Sequence, residues 1–360
     1  MKKKSGKDEK TIIQGIARLA GAFSMAALAM SCSHEGKPVE IAVDGFPVEE
    51  VMECGEGRIL DIPSTGIMEI NIAGDMLVVS TGDMRDAWQT YSLPEVALSG
   101  SLFSVGGGPG ELLMPTPGIA ASFYSRGSDG HTMCIISSTM NGRFIAGDLT
   151  THSSTDTVIN NTIGPTTVMA YRLGGSGWFN TEIIPDSCKL RRSIVAEDGT
   201  PVANAAMSAL NEKSVGDMSQ MPQIMFRPVI KPDGSWIAEV PGFTPVIEVW
   251  NTSTGESFRI RYTDGDTAAD EKSRLEANKP MFGGGVAFDD FFALQRYGDD
   301  GTPHIDFFGW DGTPRATLSL TCSDIRRIGI DIKNGDLYCL DADKDAIVRF
   351  DIADFLTKID

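Results

Sequence analysis

The chain has 360 residues, 41% of them hydrophobic, with 49 acidic and 31 basic side chains for a formal net charge of −18. A surface this acidic repels phosphate backbones and so excludes nucleic acid as a partner. It equally repels anionic headgroups, which excludes membrane attachment through a basic face.

The first element is an export leader. Lys2, Lys3, Lys4, Lys7 and Lys10 precede an apolar, small-residue run from Ile16 to Met30, followed by Ser31-Cys32. Charged head, apolar stretch and small residues at the exit are the parts of a secretory signal. The run is shorter than the roughly 20 apolar residues of a spanning helix, so residues 1–31 read as a removable signal. The cysteine after the small residue resembles the lipobox of bacterial lipoproteins. That resemblance implies a lipid on Cys32, attachment to the bilayer through acylated Cys32, and an outer membrane location on the periplasmic face or cell surface. Residues 32–39 are then a tether and residues 40–360 one domain. Removing the leader's six basic and two acidic residues leaves 25 basic and 47 acidic, a net charge of −22.

From Ile67 onward, apolar runs of four to eight residues recur between Gly, Asp, Asn, Pro and Ser. Met76-Leu77-Val78-Val79, Met133-Cys134-Ile135-Ile136 and Leu337-Tyr338-Cys339-Leu340 are examples. They are too short for helices and predict strands. Asp129-Gly130, Asn141-Gly142, Asp233-Gly234 and Asn334-Gly335 supply the positive φ of tight hairpins. Second strands often end in an aromatic and an Asp or Asn, as in Val249-Trp250-Asn251 and Arg349-Phe350-Asp351. Six such units start near residues 67, 118, 165, 223, 283 and 324. Repeated four-stranded units close radially, so the predicted fold is all-β, a six-bladed β-propeller. The last unit has three clear strands, and the segment between Val39 and Ile62 is placed to supply the fourth. Ala203–Ser214 and Thr267–Asn278 break the rhythm and read as short helical insertions.

The sharpest local motif is Val105-Gly106-Gly107-Gly108-Pro109-Gly110-Glu111-Leu112. Glu111 stands where a dinucleotide fingerprint needs its third glycine, and no Lys-Ser/Thr follows to make a phosphate loop. Two readings are open: an inter-blade crossover with Glu111 on the loop amides, or a nest of amides that receives an anionic or carbonyl group. Gly108-Pro109-Gly110-Glu111, with Pro115 close behind and Leu102-Phe103-Ser104-Val105-Gly106 before it, resembles the "G-x-GPGE" segment of the TolB-like six-bladed propeller lipoproteins of Bacteroidetes. The resemblance implies an exported, lipid-anchored propeller. It carries no catalytic residues.

Other candidates are weaker. Arg191-Arg192 and Arg326-Arg327 stand out in so acidic a chain, and would pair either with local carboxylates or with an anionic ligand. Met281-Phe282-Gly283-Gly284-Gly285-Val286 reads as a flexible strand start, and Gly174–Gly177 as a hairpin tip. Asp341–Asp345 opens like a calcium loop but has Ala346 where the glycine belongs and Ile352 in place of the final glutamate. The four histidines, His34, His131, His152 and His304, are too scattered for a compact zinc motif. Of six cysteines, five remain beside Cys32 at irregular spacing, which is no disulfide framework. They read as buried thiols, with room for one bridge in an oxidising compartment.

No catalytic residue, metal ligand or cofactor is assigned from the sequence. The leading expectation is a non-enzymatic binding or scaffolding module of the cell envelope, taking a protein, peptide or glycan partner. The competing expectation is a propeller enzyme of lactonase, lyase or hydrolase type, with a metal held at the channel mouth by Asp, Glu, Asn or His from several blades.

Overall fold

Apolar runs bounded by turn residues form strands throughout, and they group in fours. The computed structural model describes residues 38–63, 66–114, 121–126, 130–138, 143–157, 167–174, 177–184, 189–203, 226–263 and 273–359. The leader, Cys32, most of the first expected helical insertion and half of the second lie outside these residues; 273–276 of the second insertion form a helical turn.

Three short strands come first: β1 (Val39–Val43), β2 (Glu49–Met52) and β3 (Arg58–Ile59). The first blade follows as β4 (Ile67–Ala73), β5 (Met76–Thr81), β6 (Trp88–Ser92) and β7 (Ala97–Leu102). The second is β8 (Ala121–Arg126), β9 (His131–Ser138), β10 (Arg143–Asp148) and β11 (Ser153–Thr157). The third is β12 (Thr167–Arg172), β13 (Gly177–Ile184), β14 (Lys189–Ala196) and β15 (Pro201–Val202). The fourth is β16 (Phe226–Ile230), β17 (Trp236–Pro241), β18 (Val246–Asn251) and β19 (Ser257–Tyr262). The fifth is β20 (Phe282–Ala287), β21 (Phe291–Tyr297), β22 (Pro303–Gly309) and β23 (Pro314–Leu320). The sixth is β24 (Ile325–Asp331), β25 (Asp336–Asp341) and β26 (Ala346–Asp351), completed by β3. Each blade is an antiparallel meander, and the whole is a six-bladed β-propeller.

The amino-terminal segment does more than close the ring. β3 pairs antiparallel with β26, Ile59 opposite Val348, as the missing fourth strand. Before that, β1 lies parallel to β19 and β2 parallel to β23, each adding a fifth strand to its blade. The segment thus straps the outer edges of three blades and covers backbone groups that an edge strand would leave unpaired. A disulfide between Cys54 and Cys322 fastens it beside the fifth and sixth blades. This is the one bridge the sequence left room for, while Cys134 and Cys339 are the buried thiols it expected.

The core lies between the blades. The described apolar residues form clusters at all six seams, such as Val78, Trp88 and Leu102 against Cys134, Ile136 and Ile145. Another sets Val249 and Ile260 against Phe292, Leu294 and Phe308. Both faces of each blade are covered, so strands such as Asp336–Asp341 are buried at every position and read as unbroken apolar runs. The Asp or Asn that ends many strands folds back onto the following turn. Asp148 accepts from the amides of Thr150 and Thr151, Asn251 from Ser253 and Thr254, and Asp331 from Lys333 and Asn334. These are Asx turns, and they give the sequence rhythm its physical cause.

Candidate functional site in the central channel

Each blade contributes its first strand to the middle of the ring, so six free strand edges surround a cavity of about 630 Å³. Among the described residues the lining holds four cationic side chains, Arg172, Arg227, Lys231 and Arg327, against one acidic one, Glu69. In a chain of net charge −18 this is a local inversion of sign. Low-dielectric walls strengthen such a field.

Three of these groups meet where the inner strands begin. Glu69 on β4 pairs with Arg327 on β24, Nε to Oε1 2.5 Å. Arg227 on β16 donates to the carbonyl of Gly283 on β20, and Arg327 reaches the same carbonyl at 3.4 Å. Behind them Gln295 donates to Tyr297 and to the Ile325 carbonyl, which also accepts from the Tyr297 hydroxyl.

Local backbone devices aim these side chains. Four inner strands share a register shift near their first residues: Ile67/Glu69, Thr167/Met169, Phe282/Gly284 and Ile325/Arg327. Such bulges re-aim a side chain at the rim of a sheet, and here they position Glu69 and Arg327. On β20 the wall is glycine. A Cβ on Gly283 would lie 2.5 Å from Gln295 Oε1, and one on Gly284 3.3 Å from an Arg227 terminal nitrogen. Gly284 has φ +141°, where other residues are strained. The glycine cluster is therefore the channel wall that gives Arg227 room, a sharper role than a flexible strand start.

The electrostatics follow from burial. Desolvation raises the Glu69 carboxyl above 4.5, against the pull of Arg327 and Arg227. Its Oε2 has no hydrogen-bond partner among the described residues. Desolvation and the like charge of Arg327 lower Arg227 to about 10, against the pull of Glu69. Burial also raises the Tyr297 hydroxyl. Arg172 and Lys231 are answered by acids of their own, Glu197 and Asp233. No ion pair involves Arg227 among the described residues, so the strands' start holds a surplus of positive charge.

Of the residues singled out from the sequence, Arg327, Gly174 and Gly283–Val286 line this cavity; the other arginines and the Gly106–Glu111 motif do not. Arg326, one residue away, faces solvent near Asp324. Arg191 pairs with Glu182 within its blade, and Arg192 with Glu239 of the next, Nε to Oε1 2.6 Å. The Gly106–Glu111 loop lies between the first two blades. Its amide cradle is occupied by its own Glu111, which accepts from the Gly108 amide and the Ser104 hydroxyl. Gly110 donates to Asp156 and accepts from Ser154, while Gly107 has open space around it. Glu69 and Arg227 were not singled out, although each is a charge set into the apolar start of an inner strand.

The channel donors do not suit a metal. Calcium takes six to eight oxygens and catalytic zinc three protein ligands. Among the described residues the lining offers one carboxylate, already paired with Arg327, beside a second arginine. The described residues contain one close group of three potential ligands, Cys54, Cys322 and Asp341, and its two sulfurs are bonded to each other.

No family model and no curated protein matches the chain. Solved structures similar to it include a calcium-binding protein, regucalcin, from Agrobacterium tumefaciens. It has 13% identity and a TM-score of 0.47, covering 84% of this chain and 95% of that one. A putative exported protein from Bacteroides fragilis has 9% identity and a TM-score of 0.48 over 87% and 99% of the two chains. A luciferin-regenerating enzyme has 8% identity and a TM-score of 0.44 over 79% and 91%.

Proposed function

We propose that this protein is an exported, lipid-anchored propeller that binds a ligand in its central channel without transforming it. The observation that carries the reading is the channel itself, a cavity of 630 Å³ lined with fixed cations rather than with a nucleophile and its base. Its size falls in the range of small-molecule sites, roughly 300–1,000 Å³. Among the described residues no histidine lines it. Support for export comes from the leader before Cys32 and from the Cys54–Cys322 bridge, which suits an oxidising compartment. Among the described residues no helix is long and apolar enough to cross a membrane, so the anchor in this reading is acylated Cys32 at the outer membrane. A protein, peptide or glycan of the envelope remains the partner class for the loop-lined faces. The metal-dependent lactonase, lyase or hydrolase reading lacks a donor set in the channel among the described residues.

The test has two arms. Full-length protein expressed with its leader should carry a diacylglyceryl group on Cys32 by mass spectrometry, and Cys32→Ala should leave the membrane fraction. The purified protein should not turn over a panel of aryl esters, lactones and nitrophenyl glycosides. Turnover abolished by a chelator would overturn the binding reading.

A further inference from the structure

We infer that the strand-start end of the channel is a receptor for the carboxylate of a small monoanionic ligand, with Arg227 as the residue that holds it. The inference rests on the binding reading above and names its ligand class.

The charge count decides the class. Arg227, Arg327 and Glu69 sum to a single positive charge. Arg327 is spent on Glu69, and Arg227 leans on one neutral carbonyl, that of Gly283. One guanidinium with unused donors matches one carboxylate, which it can grip with two parallel hydrogen bonds. A phosphate dianion would need a second free cation. The other two cations of the lining, Arg172 and Lys231, already face Glu197 and Asp233.

The walls describe the rest of the ligand. Ile72, Phe123, Ile230 and Val286 line the channel and are only partly buried by the protein. They suit an apolar body, aromatic or aliphatic, behind the carboxylate. Glycine at 283–285 keeps side chains out of the space beside Arg227, so a ligand can reach the guanidinium. Tyr297 and Gln295 fix the floor through the Ile325 carbonyl and leave the positive charge to Arg227.

The experiment is calorimetric titration of the full-length chain in detergent with benzoate, benzamide and phenylphosphate. Benzoate should bind at one site, and benzamide and phenylphosphate at least about tenfold more weakly, the scale of one charge-assisted hydrogen bond. Arg227→Gln should lose at least about tenfold in benzoate affinity, and Arg326→Gln, on the solvent side of the same channel end, less than about twofold. Removing Arg227 relieves its repulsion with Arg327, so the variant should keep its melting temperature. Arg227→Lys keeps the charge without the fork and should fall between wild type and Arg227→Gln. Equal losses in the Lys and Gln variants would mark a packing role and overturn the inference, as would tighter binding of phenylphosphate. If benzamide binds as well as benzoate, the carboxylate assignment fails while channel binding stands. If neither binds the wild-type protein, both fall.

Discussion

Arg327 lies with its Nε 2.5 Å from Oε1 of Glu69, so a salt bridge joins the last blade of the ring to the first. The two strands that carry them, β24 and β4, flank the closing seam. Glu69 is almost fully buried, and Arg327 keeps 23% of its side chain exposed.

Losing the arginine alone strands the acid. Arg327→Met is expected to cost about 2–3 kcal/mol at pH 7, somewhat below the loss for a fully buried pair because Arg327 reaches solvent. The cost should shrink at pH 5, where Glu69 can take up a proton instead of remaining charged. Urea denaturation at the two pH values measures both.

Neutralising the acid should behave differently. Burial raises the Glu69 carboxyl above 4.5 despite Arg327, so the native state keeps that proton to a higher pH than the unfolded chain. Ionisation of Glu69 therefore opposes folding, and its contribution to stability falls as pH rises from 4.5 through the raised value. Glu69→Gln should lie within about 1 kcal/mol of wild type at pH 7. Wild type should gain on the variant as pH falls, with the gain complete below 4.5. Parallel melts of the two proteins from pH 8 to pH 4 decide it; a wild type that gains on the variant as pH rises would contradict the sign.

The strap depends on its bridge. Cys54 and Cys322 are 268 residues apart, and Lys344 stands 3.2 Å from the Cys54 sulfur. Cys54→Ser is expected to lower stability by about 2–5 kcal/mol and to abolish the effect of added reductant on the melting temperature. Cys134 should resist alkylation in the folded protein, because burial pushes its thiol up to about 12.

A methyl group on the channel wall tests the site without removing a charge. Gly284→Ala places a Cβ 3.3 Å from Arg227 and forces an unfavourable φ. Benzoate affinity should drop about fivefold or more, the scale of 1 kcal/mol of displaced contact. Unchanged affinity would mean that Arg227 does not need that space.

The blades were readable in the chain because their signals are local. Strand starts at 67, 121, 167, 226, 282 and 325 fall within three residues of the expected ones. Turn residues and apolar runs act over a few positions, and covered blade faces remove polar residues from the strands. The closing strand was readable as well, since the last unit lacked one. That β1 and β2 would brace the fourth and fifth blades was not, because a strap of three short strands looks like any irregular connection.

The channel site had no such signature. Glu69, Arg227, Gly283 and Arg327 belong to the first, fourth, fifth and sixth blades, and nothing in their spacing relates them. Arg327 drew attention only as half of a rare basic pair, and its neighbour Arg326 points elsewhere. The period of turns and apolar runs fixes how many blades form, since burying both faces of every sheet leaves the ring as the stable arrangement. Which side chains face one another across the axis depends on the register of bulges and the closure of the ring. These are long-range contacts, and the balance of charge inside the channel exists only once they are made.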